Sequence, residues 1–286
     1  MLWLCCFWLY GSACMRTTCI SNQVTAQHKL NYENSPEGTL KQLKALISSN
    51  RYTNPVDVVV IDPGHGGRDR GCSGASSIEK LITLQLSKIL KELIEEQIPD
   101  IKVILTREID KFISLKKRAE IANSNHADIF ISVHCNYLRN AKDFRGSETY
   151  VLGSEPNNES AEAVALRENI SITLEESYLD SYGGYDPFSP EGFIMLSLFQ
   201  NLFLDNSILL AQLVDTEFNK NMEVKSKGVK QGAFVVLKET NMPSILVETG
   251  YLSNKQEEAL LSSPSGQQKI SQAMLNAIVL YKHHVE

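Results

Sequence analysis

Two histidines stand at the ends of short apolar segments of the chain. His65 follows the run VVVID in the glycine-rich sequence VVVIDPGHGGRDRG, and His134 follows the run IFISV. Both residues therefore occupy the carboxyl ends of predicted strands, which is where open α/β sheets place their functional sites. A single histidine beside a strand is most often incidental, but the chain holds only 6 histidines, and two in matched positions favour a shared site.

Glu79 is the third candidate for that site, because it opens a long amphipathic segment shortly after His65. A carboxylate in the first turn of a helix is, taken alone, most often a surface charge that complements the helix dipole. Together with two imidazoles it completes a ligand set that is typical of catalytic zinc, with water in the remaining position. We therefore predict that His65, Glu79 and His134 hold one zinc ion.

Glu248 is the candidate for a catalytic base, since it ends the apolar run SILVE. A carboxylate there would take a proton from water that attacks a carbonyl and would pass it to the leaving nitrogen. Position alone leaves a helix-capping or ion-paired glutamate equally open. Asn136, two residues after His134, is either a hydrogen-bond donor to substrate or a turn residue.

The glycine-rich turn and the cysteines each suggest an alternative site that their spacing disfavours. Gly64, Gly66 and Gly67 do not form G-x-G-x-x-G, and the Lys-Ser/Thr of a phosphate-binding loop does not follow them. The sequence contains no C-x-x-C pair that would indicate a thiolate zinc site. Imidazole and carboxylate side chains remain the predicted metal ligands.

Alternating strands and helices are predicted to position these residues. The strands are predicted at 56–61, 101–106, 129–133, 148–152, 234–237 and 244–248. The helices are predicted at 79–97, 114–123, 161–178, 192–219 and 265–283. This succession predicts an α/β fold with an open mixed, largely parallel sheet, helices on both faces and a helical insertion.

Residues 1–19 are interpreted as a signal peptide, because an apolar run is followed there by small residues. The basic residues that usually precede such a run are missing, since the first one is Arg16. The small residues before Cys14 are a weaker indication of lipidation at that cysteine. We therefore expect export to the periplasm or cell envelope, with a lipid anchor as an alternative to cleavage.

The remaining chain is predicted to consist of a linker and one enlarged domain. Residues 20–54 are polar and contain one plausible peripheral helix at 37–49. Residues 55–286 are predicted to form a catalytic domain, with the helical insertion at about 157–219. We expect a monomer.

Composition limits the classes of function. Hydrophobic residues make up 43% of the 286, which is enough for a substantial core and excludes wholesale disorder. The 28 basic and 34 acidic residues give a net charge of −6, so composition gives no support for a nucleic-acid partner held by its phosphates.

A set of motifs occurs in order between Val56 and Tyr281: IDPGHGG, the helix-opening glutamate, LTR, SLKKRAEIAN, ADIFISVHCN, GVKQGAFVVL and MPSILVETGYLSN. In these motifs the chain resembles the zinc-dependent N-acetylmuramoyl-L-alanine amidases of the amidase-3 family. The resemblance implies hydrolysis of the amide between N-acetylmuramic acid and L-alanine in peptidoglycan, in cell-wall remodelling or daughter-cell separation. It also implies zinc-ligand roles for His65, Glu79 and His134 and a catalytic role for Glu248.

The insertion resembles that of cell-separation amidases, in which a helical segment blocks the zinc with a carboxylate until an activator protein displaces it. The resemblance makes Glu168 and Glu191 the candidate blocking residues. The stretch 189–207 is unusually apolar, and we interpret it as core packing in preference to a partner-binding surface.

Two other functions remain open from the sequence. One is a different zinc amide hydrolase, such as a peptidase that acts within the stem peptide. The other is a catalytically silent wall-binding module or amidase activator. The presence of all of His65, Glu79, His134 and Glu248 argues against a silent module, since a degenerate homologue should have lost at least one of the four.

Overall fold

A six-stranded sheet forms the centre of the computed structural model, which describes residues 55–139, 142–153, 159–175, 203–223 and 225–286. Strands β1 to β6 are Val58–Pro63, Lys102–Leu105, Ile129–Asn136, Glu148–Leu152, Val229–Gly232 and Ser244–Tyr251. Their order is β2-β1-β3-β6-β4-β5, and each pairing is parallel except that of β4 with β6. The predicted mixed, largely parallel sheet is confirmed.

Helices cover both faces of this sheet. Helices α1 to α7 are Glu79–Gln97, Leu115–Ser124, Glu159–Asn169, Leu204–Asn221, Val235–Lys238, Lys255–Ser262 and Pro264–Val285, and a 3-10 turn at Ile170–Leu174 follows α3. Helices α1, α4 and α7 pack on one face, and α2, α3 and α5 pack on the other. Along the chain, helices α3 and α4 come between β4 and β5 and so form part of the predicted insertion.

The alternation of side chains along β1 shows why both faces must be covered. Val59 and Ile61 pack into the larger apolar cluster with α1 and α7, whereas Val60 packs into the smaller cluster on the opposite face. Successive residues of a strand point to opposite faces, so a continuous apolar run such as VVVI is buried only when helices lie on both sides.

Two of the secondary-structure predictions are wrong, one at residues 234–237 and one at residues 161–178. Residues 234–237 were expected to form a strand, but they belong to the short helix α5 and its cap, and the strand in this region is the polar β5. A run of four apolar residues carries no period that separates a strand from a helix turn. The predicted helix at 161–178 is also too long, because the α-helix ends at Asn169 and gives way to the 3-10 turn.

Several predictions fall outside the described residues. These are the leader at 1–19, the peripheral helix at 37–49, Glu191, and the part of the predicted helix 192–219 that precedes Phe203. Among the helices of the described ranges, none combines the length and the apolar character needed to cross a membrane.

Candidate metal centre and active site

The predicted site residues come from three adjacent strands and the first turn of a helix. His65 follows the end of β1, His134 lies within β3, and Glu248 lies within β6, directly opposite His134 in the strand register. Glu79 is the first residue of α1. Because β1, β3 and β6 are parallel neighbours, their carboxyl ends meet at one edge of the sheet.

The structure brings the three predicted ligand residues into contact. Nε2 of His65 lies 3.0 Å from Oε1 of Glu79, and Nδ1 of His134 lies 3.1 Å from the same oxygen. All three side chains are buried. A buried carboxylate oxygen that faces two imidazole nitrogens is an arrangement suited to a shared cation.

Glu168 of α3 reaches the same point. Its Oε2 lies 3.2 Å from Nε2 of His65 and 3.1 Å from Nδ1 of His134. The four ligand atoms of His65, Glu79, His134 and Glu168 all lie within 4.8 Å of one another. Of the two candidate blocking residues, Glu168 is therefore at the cluster, and Glu191 lies outside the described residues.

Neighbouring groups orient two of the candidate ligands. Asp69 Oδ2 lies 2.9 Å from Nδ1 of His65, which leaves Nε2 to face the cluster. The two oxygens of Glu79 accept hydrogen bonds from the backbone amides of Cys72, at 2.7 Å, and Cys135, at 3.0 Å. In metal-binding histidines, the ring nitrogen that does not face the metal commonly donates to a carboxylate. Asp69 is in this position relative to His65. Sequence reasoning missed Asp69, although its place four residues after His65 in the same turn was a usable signal.

The charges of the cluster depend on one another. Burial alone would lower the pKa of His134, but the facing carboxylates, Glu168 first and Glu79 next, together raise that pKa to about 9. The pKa of His65 is raised in the same way, against burial, chiefly by Glu79 and Asp69. Burial opposes ionisation of Glu79 and Glu168, yet the facing imidazoles lower the pKa of both carboxyls. The buried carboxylates therefore require positive charge beside them.

The residues present fit a divalent metal ion. Nε2 of His65 and Oε2 of Glu168 are buried and have close neighbours in the cluster, but among the described residues none of these contacts has the geometry of a hydrogen bond. At Gly71 a Cβ would lie 2.5 Å from Oε2 of Glu79 and 2.6 Å from Cδ2 of His65, so only glycine leaves room for this arrangement. Two imidazoles with carboxylate oxygens are a donor set that zinc accepts.

Glu248 is fully buried beside this cluster. Its Oε1 accepts a hydrogen bond from Nη2 of Arg167 at 3.2 Å, and its Oε2 has no partner among the described residues. Burial, and next the charge of Glu168, raise the pKa of Glu248 to about 8 in spite of Arg167. A carboxyl group with a raised pKa and an oxygen that has no hydrogen-bond partner is suited to proton transfer near neutral pH.

Asn136 does not face this group of side chains. It is buried at the end of β3, and its amide nitrogen donates to Glu148 at 3.3 Å, while its Oδ1 accepts from the backbone of Tyr137. The side chain is therefore held within the protein by both its amide nitrogen and its oxygen, which favours a structural role for Asn136.

Known amidases resemble this chain in both sequence and fold. The family model described as N-acetylmuramoyl-L-alanine amidase matches residues 59–279. The N-acetylmuramoyl-L-alanine amidase AmiA of Escherichia coli is 34% identical over 230 residues, which cover 79% of this chain and 76% of AmiA. The solved structure of AmiC2 from Nostoc punctiforme is 28% identical with a TM-score of 0.58, and covers 78% of this chain and 96% of that one. The CwlD amidase from Clostridioides difficile, solved in complex with the GerS lipoprotein, is 25% identical with a TM-score of 0.58, and covers 80% of this chain and 98% of CwlD.

Proposed function

The chain belongs to the N-acetylmuramoyl-L-alanine amidase family, and from that premise we propose a zinc-dependent hydrolysis of the amide between N-acetylmuramic acid and the L-alanine of the peptidoglycan stem. One observation carries the proposal. His65, Glu79 and His134 meet at the edge of the sheet, and Glu248 stands beside them in the strand register.

The roles follow from the positions of the side chains. His65, Glu79 and His134 would hold the ion through Nε2, Oε1 and Nδ1. When bound, zinc supplies a Lewis acid that lowers the pKa of water and polarises a carbonyl. Glu248 would accept, at the Oε2 that is unpartnered among the described residues, the proton of the water that attacks the amide carbonyl, and would return it to the nitrogen of L-alanine as the amide breaks.

Digestion of purified peptidoglycan by the full chain tests this function. We expect muramic acid residues without stems, together with stem peptides that carry a free L-alanine amino group. Chelator should abolish release and added zinc should restore it, because the ligand set is intact. Mass analysis identifies the fragments. Cuts within the stem would instead establish the peptidase alternative, and no release by zinc-loaded wild-type protein or by its Glu168→Ala variant would favour the silent module.

We propose that the chain acts in the cell envelope as a monomer, during wall remodelling or daughter-cell separation. The apolar leader at 1–19 supports export, and the substrate itself lies outside the cytoplasmic membrane. The proposed division into leader, linker at 20–54 and catalytic domain at 55–286 is compatible with the family match at 59–279.

We also propose that α3 holds the site closed until a protein activator moves it. Two consecutive residues of the helix act on different groups: Glu168 faces both histidines, and Arg167 pairs with Glu248. A carboxylate in the remaining coordination position would exclude the substrate carbonyl from it. The CwlD–GerS complex gives a precedent for a protein partner in this family.

Replacing Glu168 by alanine is expected to raise the activity of the full chain without activator by about tenfold or more. If the population of the closed state exceeds that of the open state tenfold, the apparent activity is reduced about tenfold. The substitution removes the contact of Glu168 with the two histidines and so favours the open state. The rate of dye release from labelled peptidoglycan measures the change.

Glu162→Ala is the matched control, since Glu162 lies on the exposed side of the same helix. It should leave the rate unchanged. Activity that falls in Glu168→Ala together with zinc content would instead make Glu168 a required ligand and would contradict the closing role.

A further inference from the structure

We propose that Arg118 and Arg107 are positioning residues that fix the backbone of the turn 63–65 and so aim the imidazole of His65 at the metal. The inference rests on the proposed function, because it takes His65 as a ligand. It concerns two buried side chains that hydrogen-bond to backbone carbonyls of this turn and to none of the side-chain atoms that would hold the ion.

The backbone at His65 is in a conformation that needs support. Its φ is 59°, in the left-handed region that side chains other than glycine rarely adopt. Such a conformation persists only where the surroundings determine it. A rotation of this peptide would swing the Cα–Cβ bond of His65 and carry Nε2 away from Glu79.

Arg118 of α2 holds the two ends of the turn. Its Nη1 donates to the carbonyl of Pro63 at 2.8 Å, and its Nη2 donates to the carbonyl of His65 at 2.7 Å. The side chain is only 1% exposed. Its position is fixed in turn by an ion pair with Asp62 at 2.6 Å. Asp62 also accepts from the hydroxyls of Thr106 and Ser132.

Arg107 holds the middle of the same turn. Its Nη2 donates to the carbonyl of Gly64 at 2.7 Å, and its Nε donates to that of Pro63 at 3.0 Å. Three consecutive carbonyls, those of residues 63, 64 and 65, thus accept hydrogen bonds from two guanidinium groups. Buried carbonyls need such partners, so the turn cannot rotate without breaking several bonds.

Only a guanidinium group can make these contacts at once. Its donors form a rigid planar fork, whereas the ammonium group of lysine is a single point charge on a flexible stem. Arg118→Lys therefore keeps the positive charge beside Asp62 but cannot reach the carbonyls of Pro63 and His65 together. This makes the lysine variant a test of geometry and not of charge.

The test measures metal binding by the full chain, in competition with a chromophoric chelator, at a temperature where circular dichroism shows each variant folded. We expect Arg118→Lys to bind Zn²⁺ about 10–100-fold more weakly than wild type, the usual cost of losing an outer partner of a ligand. The visible absorption of the Co²⁺-loaded variant should also change, because it reports the arrangement of the ligands.

Arg145→Lys is the control, since Arg145 is exposed and bonds to Gln256 away from the turn. It should match wild type in both measurements. If Arg118→Lys does not fold, Arg107→Lys is judged by the same criterion. A lower melting temperature of the metal-free variant with unchanged Zn²⁺ affinity and Co²⁺ spectrum would show a merely structural role and overturn the inference.

His65→Ala separates this inference from the proposed function. Weak binding by His65→Ala with wild-type binding by Arg118→Lys refutes only the positioning role. Wild-type protein that binds no Zn²⁺, or His65→Ala that binds as well as wild type, overturns the proposed metal site and the inference with it.

Discussion

Replacing Glu248 by glutamine is expected to lower kcat on peptidoglycan by about 10²- to 10⁴-fold, the usual contribution of a positioned general base. The amide has nearly the same shape as the carboxylate but cannot accept the proton of water and return it to the leaving nitrogen. Zinc content should stay at the wild-type value, because the side chain is not among the grouped ligand residues.

The variant should fold at least as well as wild type. The pKa of Glu248 in the metal-free fold is raised to about 8, above the ordinary range of a glutamate. A carboxyl group with a raised pKa binds its proton more tightly in the folded state, so its ionisation costs stability as the pH rises from about 4.5 to 8. Glutamine removes that cost, and the melting temperature at pH 7 should not fall.

Glu120→Gln provides the matched control, since Glu120 pairs with Lys117 on the exposed face of α2. Turnover is measured by separating released stem peptides, with zinc determined by elemental analysis on the same samples. If the Glu248→Gln enzyme retains more than a tenth of the wild-type kcat, Glu248 is not the general base. Loss of zinc in that variant would assign it to the metal instead.

The strands that carry the site could be predicted because they are buried on both faces. β1, β3 and β6 read as continuous apolar runs, and His65, His134 and Glu248 are polar residues at or near their carboxyl ends. Parallel pairing then brings these ends together. The predicted strands 129–133 and 244–248 are each three residues too short. Both β3 and β6 continue past the apolar run, where the hydrophobic pattern no longer marks a strand.

Apart from Asp69, which lies four residues from His65, the residues that sequence reasoning missed act through contacts between distant segments. Arg167 meets Glu248 from a helix 81 positions away, and Arg118 meets Asp62 across 56 positions. The sequence alone does not distinguish a buried arginine of an amphipathic helix from an exposed one, because the carbonyl groups to which it donates belong to distant segments. Glu168 was named only through the family resemblance, because nothing local to α3 indicates that this glutamate faces two histidines.

The short helix α5 illustrates a different limit. Its sequence is rich in β-branched residues and reads as a strand, but Asn169 of α3 accepts a hydrogen bond from the amide of Val235 and donates to the carbonyl of Ala233. These contacts with a distant helix satisfy the backbone at the start of α5. Tertiary structure therefore overrides local propensity at this point.

Replacing His134 by alanine is expected to remove the metal and with it the activity. The loss of zinc affinity should exceed the about 10- to 100-fold cost of changing an outer partner of a ligand, because the donor itself is gone. It also leaves the carboxylates of Glu79 and Glu168 facing each other with one imidazole fewer to balance them. Zinc content after dialysis and the rate of stem release measure the two effects.

Activity at saturating substrate should fall by about 10³-fold or more, since a Lewis acid contributes several kcal/mol and each 1.4 kcal/mol is a factor of ten. His284→Ala is the control, because His284 is exposed near the end of α7 and should have no effect. Excess zinc discriminates between two causes of inactivity: a variant that only binds weakly regains part of its rate, whereas a misfolded one does not. His134→Ala protein that keeps wild-type zinc and wild-type turnover would rule out this site as the catalytic centre, whatever the role of Glu248.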